Sequence, residues 1–213
     1  MRRPRITRRR LITGLAVGIP AAVLARPVGH LGLAAWRERG EVPPVPDGSA
    51  DDASRLNEVK VAETVVVSDS NAAETVAAAI ARARAAKRPV CIAGARHTMG
   101  GHTAMEGATV LDMSGVKSMR LDGAKERLRV GAGARWEEVI RTLHAEGRSV
   151  LVMQSNSSFS IGGSLSANAH GWQHNRPPLA STVESFRVVK ADGTIATCSR
   201  TENAELFSLV LGG

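Results

Sequence analysis

Two stretches rich in glycine and serine hold most of the residues able to do chemistry. The first, GARHTMGGHT, runs from Gly94 to Thr103 and leaves an apolar run. Glycine lets successive backbone N–H groups crowd toward one point, and clustered N–H groups make an anion site. Gly94, Ala95, Arg96, His97, Thr98, Met99, Gly100, Gly101 and His102 are therefore candidates to wrap a phosphate. The second stretch, from Ser157 to Gly171, carries the Gly162-Gly163 pair, serines at 157, 158, 160 and 164, and Asn168, which together offer many neutral donors with little bulk. Two donor-rich loops on one scaffold suggest a pyrophosphate gripped from both sides.

Two other patterns imitate sites. GAGARW, Gly131 to Trp136, follows a strand-like run and opens a helical one, as a dinucleotide fingerprint does. Trp136 stands where the third glycine is needed for close packing, and no acid near Leu151 is placed to hold a ribose, so a nicotinamide site is rejected. His97, His102, His170 and His174 lie in glycine-rich loops with no cysteine or carboxylate to complete a ligand set, which argues against a metal centre and a metal-dependent hydrolase.

The elements that position the loops are legible in the periodicity. Val59 to Val67 alternates and is β-branched, which predicts a strand; Asn71 with Glu74 reads as a helix N-cap, and Val76, Ile80 and Ala83 continue at helical spacing until Arg88-Pro89. Val90 to Ala93 and Thr109 to Leu111 are expected strands around the first loop. A second unit opens with a strand over Arg127 to Val130. It continues with a helix carrying Trp136, Val139, Ile140 and Leu143, closed by Gly147, and a strand over Val150 to Met153. Beyond the second loop, Val183 to Lys190 and Ile195 to Cys198 form a hairpin about Asp192-Gly193, and Ala204 to Leu211 is helical. Strand, helix, strand, loop, strand is an α/β signature.

The net charge of +8 does not indicate nucleic acid, because six arginines lie within the first ten residues. Without residues 1–25 the balance is 22 basic against 20 acidic. Tyrosine is absent and Phe and Trp number three each, so the stacking platforms of single-strand binders are missing too. The segment TRRRLITGLAVGIPAAVLA, Thr7 to Ala25, joins an arginine pair to an apolar run too short to span a bilayer, which reads as a twin-arginine-type export signal over 1–25 or an uncleaved membrane anchor. Export, to the periplasm or beyond, is the expected localisation. That route carries folded proteins, which suits a chain that must acquire a cofactor first. Residues 26–54, rich in Pro, Gly and charge, read as a linker, with the folded part beginning near Arg55. Cys91 and Cys198, the only cysteines, are expected as free thiols.

In this order, RPVCIAGARHTMGGH (Arg88 to His102), VGAGARWEEV (Val130 to Val139), SIGGSLSANAHG (Ser160 to Gly171), FRVVKADG (Phe186 to Gly193) and AELFSLVLGG (Ala204 to Gly213) resemble the PCMH-type FAD-binding domain of the vanillyl-alcohol oxidase superfamily. The resemblance covers Leu56 to Gly213 and implies two small α/β subdomains, 55–115 and 116–213, with FAD between them. It implies that the first loop binds the FAD pyrophosphate. By position, His97 is either bonded to the flavin's dimethylbenzene edge, as in many members, or hydrogen-bonded to the phosphates. It places Ser160, Ile161, Gly162, Gly163 and Ser164 along the pyrophosphate and ribityl chain, Asn168 and His170 nearest the isoalloxazine, and Val183 among the cofactor contacts. The second loop holds no cysteine, so at most one covalent flavin bond is implied. HGWQH, His170 to His174, looks most like the aldonolactone and alditol oxidases and decaprenylphosphoryl-ribose oxidase, although cytokinin dehydrogenases and glycolate oxidase-like proteins share much of the pattern. A polyol, sugar or sugar lactone is then the small-molecule substrate. In the superfamily more glycines and a substrate domain follow the pair at Gly212-Gly213, so catalytic residues are not assigned here. The chain is read either as part of an active oxidoreductase or as a non-catalytic FAD-binding remnant.

Overall fold

The computed structural model describes residues 25, 27–33, 44–98, 100–124 and 126–212. The signal or anchor expected over 1–25 lies outside them except for Ala25. By internal contacts the chain divides into two units, Met1–Pro44 and Val45–Gly213. In the first, residues 27–33 are helical and exposed, where a linker without periodicity was expected; Pro27 needs no N–H partner near the start of a helix, and Gly29 and Gly32 masked the run. Among the described residues no helix is long and apolar enough to cross a membrane.

The second unit begins before Arg55. Strand β1 (Ser49–Ala50) pairs antiparallel with β2 (Val59–Lys60), and Ala50, Asp51 and Asp52 are all buried. The linker expected over 26–54 is corrected accordingly: its polar composition near Asp51 reflects side chains bonded inward, not solvation. The single strand expected over Val59 to Val67 is likewise two, since the chain turns at 61–62 before β3 (Glu63–Ser68).

Helix α1 (Ala72–Ala85) follows, then β4 (Val90–Ala93) and β5 (Thr109–Gly115). The three strands form a parallel sheet in the order β3-β5-β4, so the central strand comes last in the chain. Alternation in β3 puts Val65 and Val67 on one face, where they meet Leu111 of β5 and the apolar stripe Val76, Ala79 and Ile80 of α1. The opposite face buries Ala93 and Val110 against Ala50 of the β1–β2 hairpin. Asn71 precedes α1 as expected but makes no side-chain cap bond. The helix stops at Ala85 rather than at Arg88-Pro89: Lys87 turns left-handed (φ 53°), and the Arg88 N–H returns to the Ala83 carbonyl at 2.8 Å, the bonding of a Schellman cap without its usual glycine.

Strands β6 (Met119–Asp122) and β7 (Arg127–Val130) form an antiparallel hairpin, and α2 (Trp136–Ala145) and α3 (Ile161–Ser166) pack on it through Trp136, Val139, Leu143 and Ile161. Gly147 closes α2 with φ 65°. The strand expected over Val150 to Met153 does not form. That stretch has no strand partner; Val150 and Met153 pack against the Trp136 cluster instead. After a 3-10 turn (Leu179–Thr182), β8 (Ser185–Val189) and β9 (Ile195–Ser199) make the expected hairpin. Helix α4 (Ala204–Val210) covers it, with Phe207 stacked on Phe186 at 5.2 Å.

The two halves are joined along the main chain. Residues 131–134 cross 113–118, with Gly131 N–H bonded to the Ser118 carbonyl and Gly133 N–H to the Val116 carbonyl, both at 2.9 Å. Asp69 accepts the N–H groups of Ser118 and Lys117 at 2.9 and 3.0 Å, which hold its pKa below the ordinary value.

Candidate functional site

The first loop leaves β4 at Ala93 and is shaped by two left-handed residues, Arg96 (φ 61°) and Gly101 (φ 74°). A non-glycine residue there costs of order 1 kcal/mol and persists only where surrounding contacts enforce it. The contacts are present: the Arg96 carbonyl accepts the Ala53 N–H at 2.9 Å, and its guanidinium pairs with Asp112 at 2.8 Å. Burial pushes the Asp112 pKa up, but bonds from Ser114 and the Arg96 charge outweigh it and hold the carboxyl below its usual range. The reversal leaves the backbone N–H groups of Arg96, His97 and Thr98 without an acceptor among the described residues. Such a run of free N–H groups about a left-handed residue is an anion cradle.

The second loop is laced to the start of α2. The Phe159 and Ser157 carbonyls accept the N–H groups of Trp136 and Glu137, satisfying two orphan donors of the helix N-terminus, while Ile161 and Gly162 donate back to Ala134 and Ala132. GAGARW, which imitated a nucleotide fingerprint, is thus the platform on which the second loop lies. Trp136 reinforces it through its indole N–H, bonded to Ser164 Oγ at 2.9 Å in the core.

The two loops meet. Ser160, which is buried, accepts the Ala95 N–H on Oγ at 3.3 Å, and its hydroxyl occupies the space where a Cβ on Gly94 would stand. Ser158 Oγ lies 2.8 Å from His97 Nε2, and the His97 ring packs on Phe159 with centroids 4.5 Å apart. Burial, and after it the Arg135 charge, lower the His97 pKa, which favours the neutral imidazole.

Not every expected residue joins this contact. His102 is exposed and folds back over Gly100. Asn168 is left-handed (φ 42°) and its side-chain oxygen accepts the Ala180 N–H; it lines a groove with Arg200, Phe207 and Leu211. His170 is exposed, with its ring Nδ1 3.4 Å from the Gly171 carbonyl, and Val183 packs in the Phe207 cluster. Met99 lies outside the described residues. No three of His, Cys, Asp and Glu gather to hold a metal among the described residues.

With the loops in place, comparison identifies the domain. The sequence profile of a family described as FAD binding domain matches residues 65–199, more than half of the chain. The chain belongs to this FAD-binding family. The FAD-binding domain is 33% identical over 125 residues to the bifunctional solanapyrone synthase of Alternaria solani, covering 54% of this chain and 23% of that protein. It is 31% identical over 125 residues to cytokinin dehydrogenase 2 of Arabidopsis thaliana, covering 58% and 25%. It therefore spans about a quarter of the length of these relatives. Its fold is that of 6-hydroxy-D-nicotine oxidase from Arthrobacter nicotinovorans (TM-score 0.68, 20% identity, 82% of this chain and 39% of that one). Glucooligosaccharide oxidase from Acremonium strictum, described with a 6-S-cysteinyl, 8α-N1-histidyl FAD, is similar in fold (TM-score 0.67, 23% identity, 78% and 34%).

The residues of the FAD-binding domain fit the group its family implies. The free N–H groups of the first loop suit a diphosphate, and the buried Thr103 Oγ1 at its end has no partner among the described residues. Gln154 Oε1, three residues before Ser157, is buried and unpartnered as well.

The residue most clearly missed from sequence is Asp52, read as part of a linker. Its carboxylate accepts the Ser54 N–H and hydroxyl on one oxygen and the Gly101 N–H (3.0 Å) and Asn57 amide (2.8 Å) on the other. These bonds, Ser54's foremost, push its pKa down from 3.8 to about 2. Because the folded value lies below the unfolded one, the stabilisation is complete above about pH 4 and is lost as pH falls toward about 2. Protection of the Gly101 amide, taken relative to its intrinsic exchange rate at each pH, should fall across that window in the wild-type chain and already be lost at pH 6 in Asp52→Ala; unchanged protection in the variant would show that Asp52 does not anchor the loop.

Proposed function

We propose that the junction between Gly94–Thr103 and Ser157–Gly171 is the FAD site, and that the whole protein is a flavoprotein oxidoreductase removing hydride from a hydroxyl-bearing substrate such as a polyol, sugar or sugar lactone. The observation that carries this reading is the contact of Ser160 with Gly94-Ala95 and of Ser158 with His97, which brings two donor-rich loops to one place. The N–H groups of Arg96, His97 and Thr98 bind the diphosphate from one side, and Ser160 to Ser164 line it from the other. Arg96 is spent on Asp112, so its backbone and not its charge meets the phosphates. When bound, the flavin supplies a two-electron acceptor; the chain binds it, orients it and screens one flank from water.

His97 is proposed as the covalent anchor of the flavin. Attachment needs a neutral imidazole, and the depressed His97 pKa provides one near neutral pH. The arginine-rich leader fits export of an already folded, cofactor-loaded protein. The test is denaturing precipitation of the protein expressed with FAD. Yellow colour retained in the pellet and lost in His97→Ala supports both binding and anchor; colour released to the supernatant by the wild type removes the anchor alone, and a colourless native protein that cannot be loaded removes the FAD site.

A further inference from the structure

His97 does not stand alone at the loop junction. Ser158 Oγ is within hydrogen-bond distance of two atoms: His97 Nε2 at 2.8 Å and Asn156 Oδ1 at 2.7 Å. An amide oxygen can only accept, and Asn156 Oδ1 also accepts the Ser158 backbone N–H at 2.9 Å. The one hydroxyl proton of Ser158 is therefore committed to Asn156. What remains toward His97 is an oxygen lone pair, so the shared hydrogen in the Ser158–His97 bond belongs to Nε2. In a neutral imidazole that leaves Nδ1 as the basic nitrogen, and Nδ1 has no partner among the described residues.

We infer that Asn156 and Ser158 are positioning residues that lock His97 in its Nε2–H tautomer and present the Nδ1 lone pair as the atom to be joined to the flavin. Phe159 completes the setting by packing on the ring, so its plane as well as its proton is fixed. Ser158 and Phe159 come from the second loop, Asn156 immediately precedes it and the histidine belongs to the first, so the tautomer is defined only when the loops are together. The inference rests on the reading of His97 as the flavin anchor. Attachment at Nδ1 forms an N–C bond to the flavin 8-methyl carbon as one methyl C–H bond breaks. The methyl proton and the Nε2 proton are released, and the electron pair entering the flavin is taken up with two protons by dioxygen, giving hydrogen peroxide.

Two readouts separate this device from the FAD reading itself. In the FAD-free chain, nitrogen-15 spectra above the His97 pKa should show Nε2 protonated, with a slowly exchanging ring N–H coupled to it. Ser158→Ala should lose that slow proton, whereas Asn156→Asp, which keeps an acceptor for the Ser158 hydroxyl, should retain it. In chains mixed with FAD, reversible affinity should be within about twofold of wild type for Ser158→Ala, while colour retained on denaturation should accumulate at least about tenfold more slowly, one factor of ten being 1.4 kcal/mol of barrier; the linked peptide should carry the flavin on Nδ1. A wild-type ring protonated on Nδ1, attachment through Nε2, or a Ser158→Ala chain that attaches flavin at the wild-type rate would each overturn the inference. If no chain binds FAD, the FAD reading fails and the spectra of the free chain still decide the tautomer.

Discussion

Gly133→Ala is expected to destabilise the domain by about 3 kcal/mol, at the upper end of the range for forcing extra atoms into a packed interior. A Cβ at this position would strike the Met113 carbonyl and approach Ser114 Cα at 3.1 Å, both of them backbone. Neither can swing aside as a side chain would. The main chain at 131–134 would have to lift from 113–118, breaking the bond from Gly133 N–H to the Val116 carbonyl. The Ala132 and Ala134 carbonyls in this stretch accept from Gly162 and Ile161, so the displacement passes directly to the second loop. For a domain of this size about 3 kcal/mol lowers the melting temperature by roughly 6 to 12 °C. Thermal unfolding followed by far-ultraviolet circular dichroism measures it, with Gly107→Ala as the contrasting case. Gly107, unlike Gly133, has positive φ (69°), and nothing lies within 4 Å of its Cβ direction, so only backbone strain should register there.

Gly94→Ala should act on FAD more than on the fold. The added methyl would collide with Ser160 Oγ and lie 3.1 Å from Ser160 Cβ, pressing the two loops apart where they meet. Ser160 is buried, so its hydroxyl has little room to rotate away. Bringing the loops back into contact against the added methyl costs about 1 to 3 kcal/mol, which weakens FAD binding by roughly 5- to 150-fold. Ser160→Gly in the same chain removes the opposing atoms and should return much of the loss, although that change alone also weakens binding by deleting the acceptor for the Ala95 N–H. Non-additivity of that sign identifies direct contact. Additive losses, each independent of the other, would mean that the junction does not form around the ligand.

What the sequence disclosed and what it hid follow from different physics. Period-two and helical alternation marked β3, α1, β4, α2 and the β8–β9 hairpin, because each hides one face and shows the other. Glycine clusters marked both loops, since close backbone approach leaves few other residues possible. Strand β6, with the sequence MRLD, escaped because Arg120 and Asp122 occupy its outer face and only two apolar residues carry the signal. Val150 to Met153 misled in the opposite sense: its apolar residues serve the α2 cluster without pairing. The anchoring role of Asp52 and the pairing of Ser158 with His97 were illegible for a single reason. Each residue acts by bonding a partner distant in the chain, Gly101 in one case and His97 in the other. Asn168 and His170, which the resemblance places near the ring, have local partners here: Asn168 Oδ1 accepts the Ala180 N–H, and His170 Nδ1 lies near the Gly171 carbonyl.

One titration examines the shared site most directly: FAD added to the isotopically labelled chain while backbone amide resonances are followed. A single site between the loops requires the amides of residues 95–98 and of 158–164 to shift together, along one saturation curve that ends at one FAD per chain. Shifts confined to either stretch, or two stretches responding at different FAD concentrations, would contradict a site built from both.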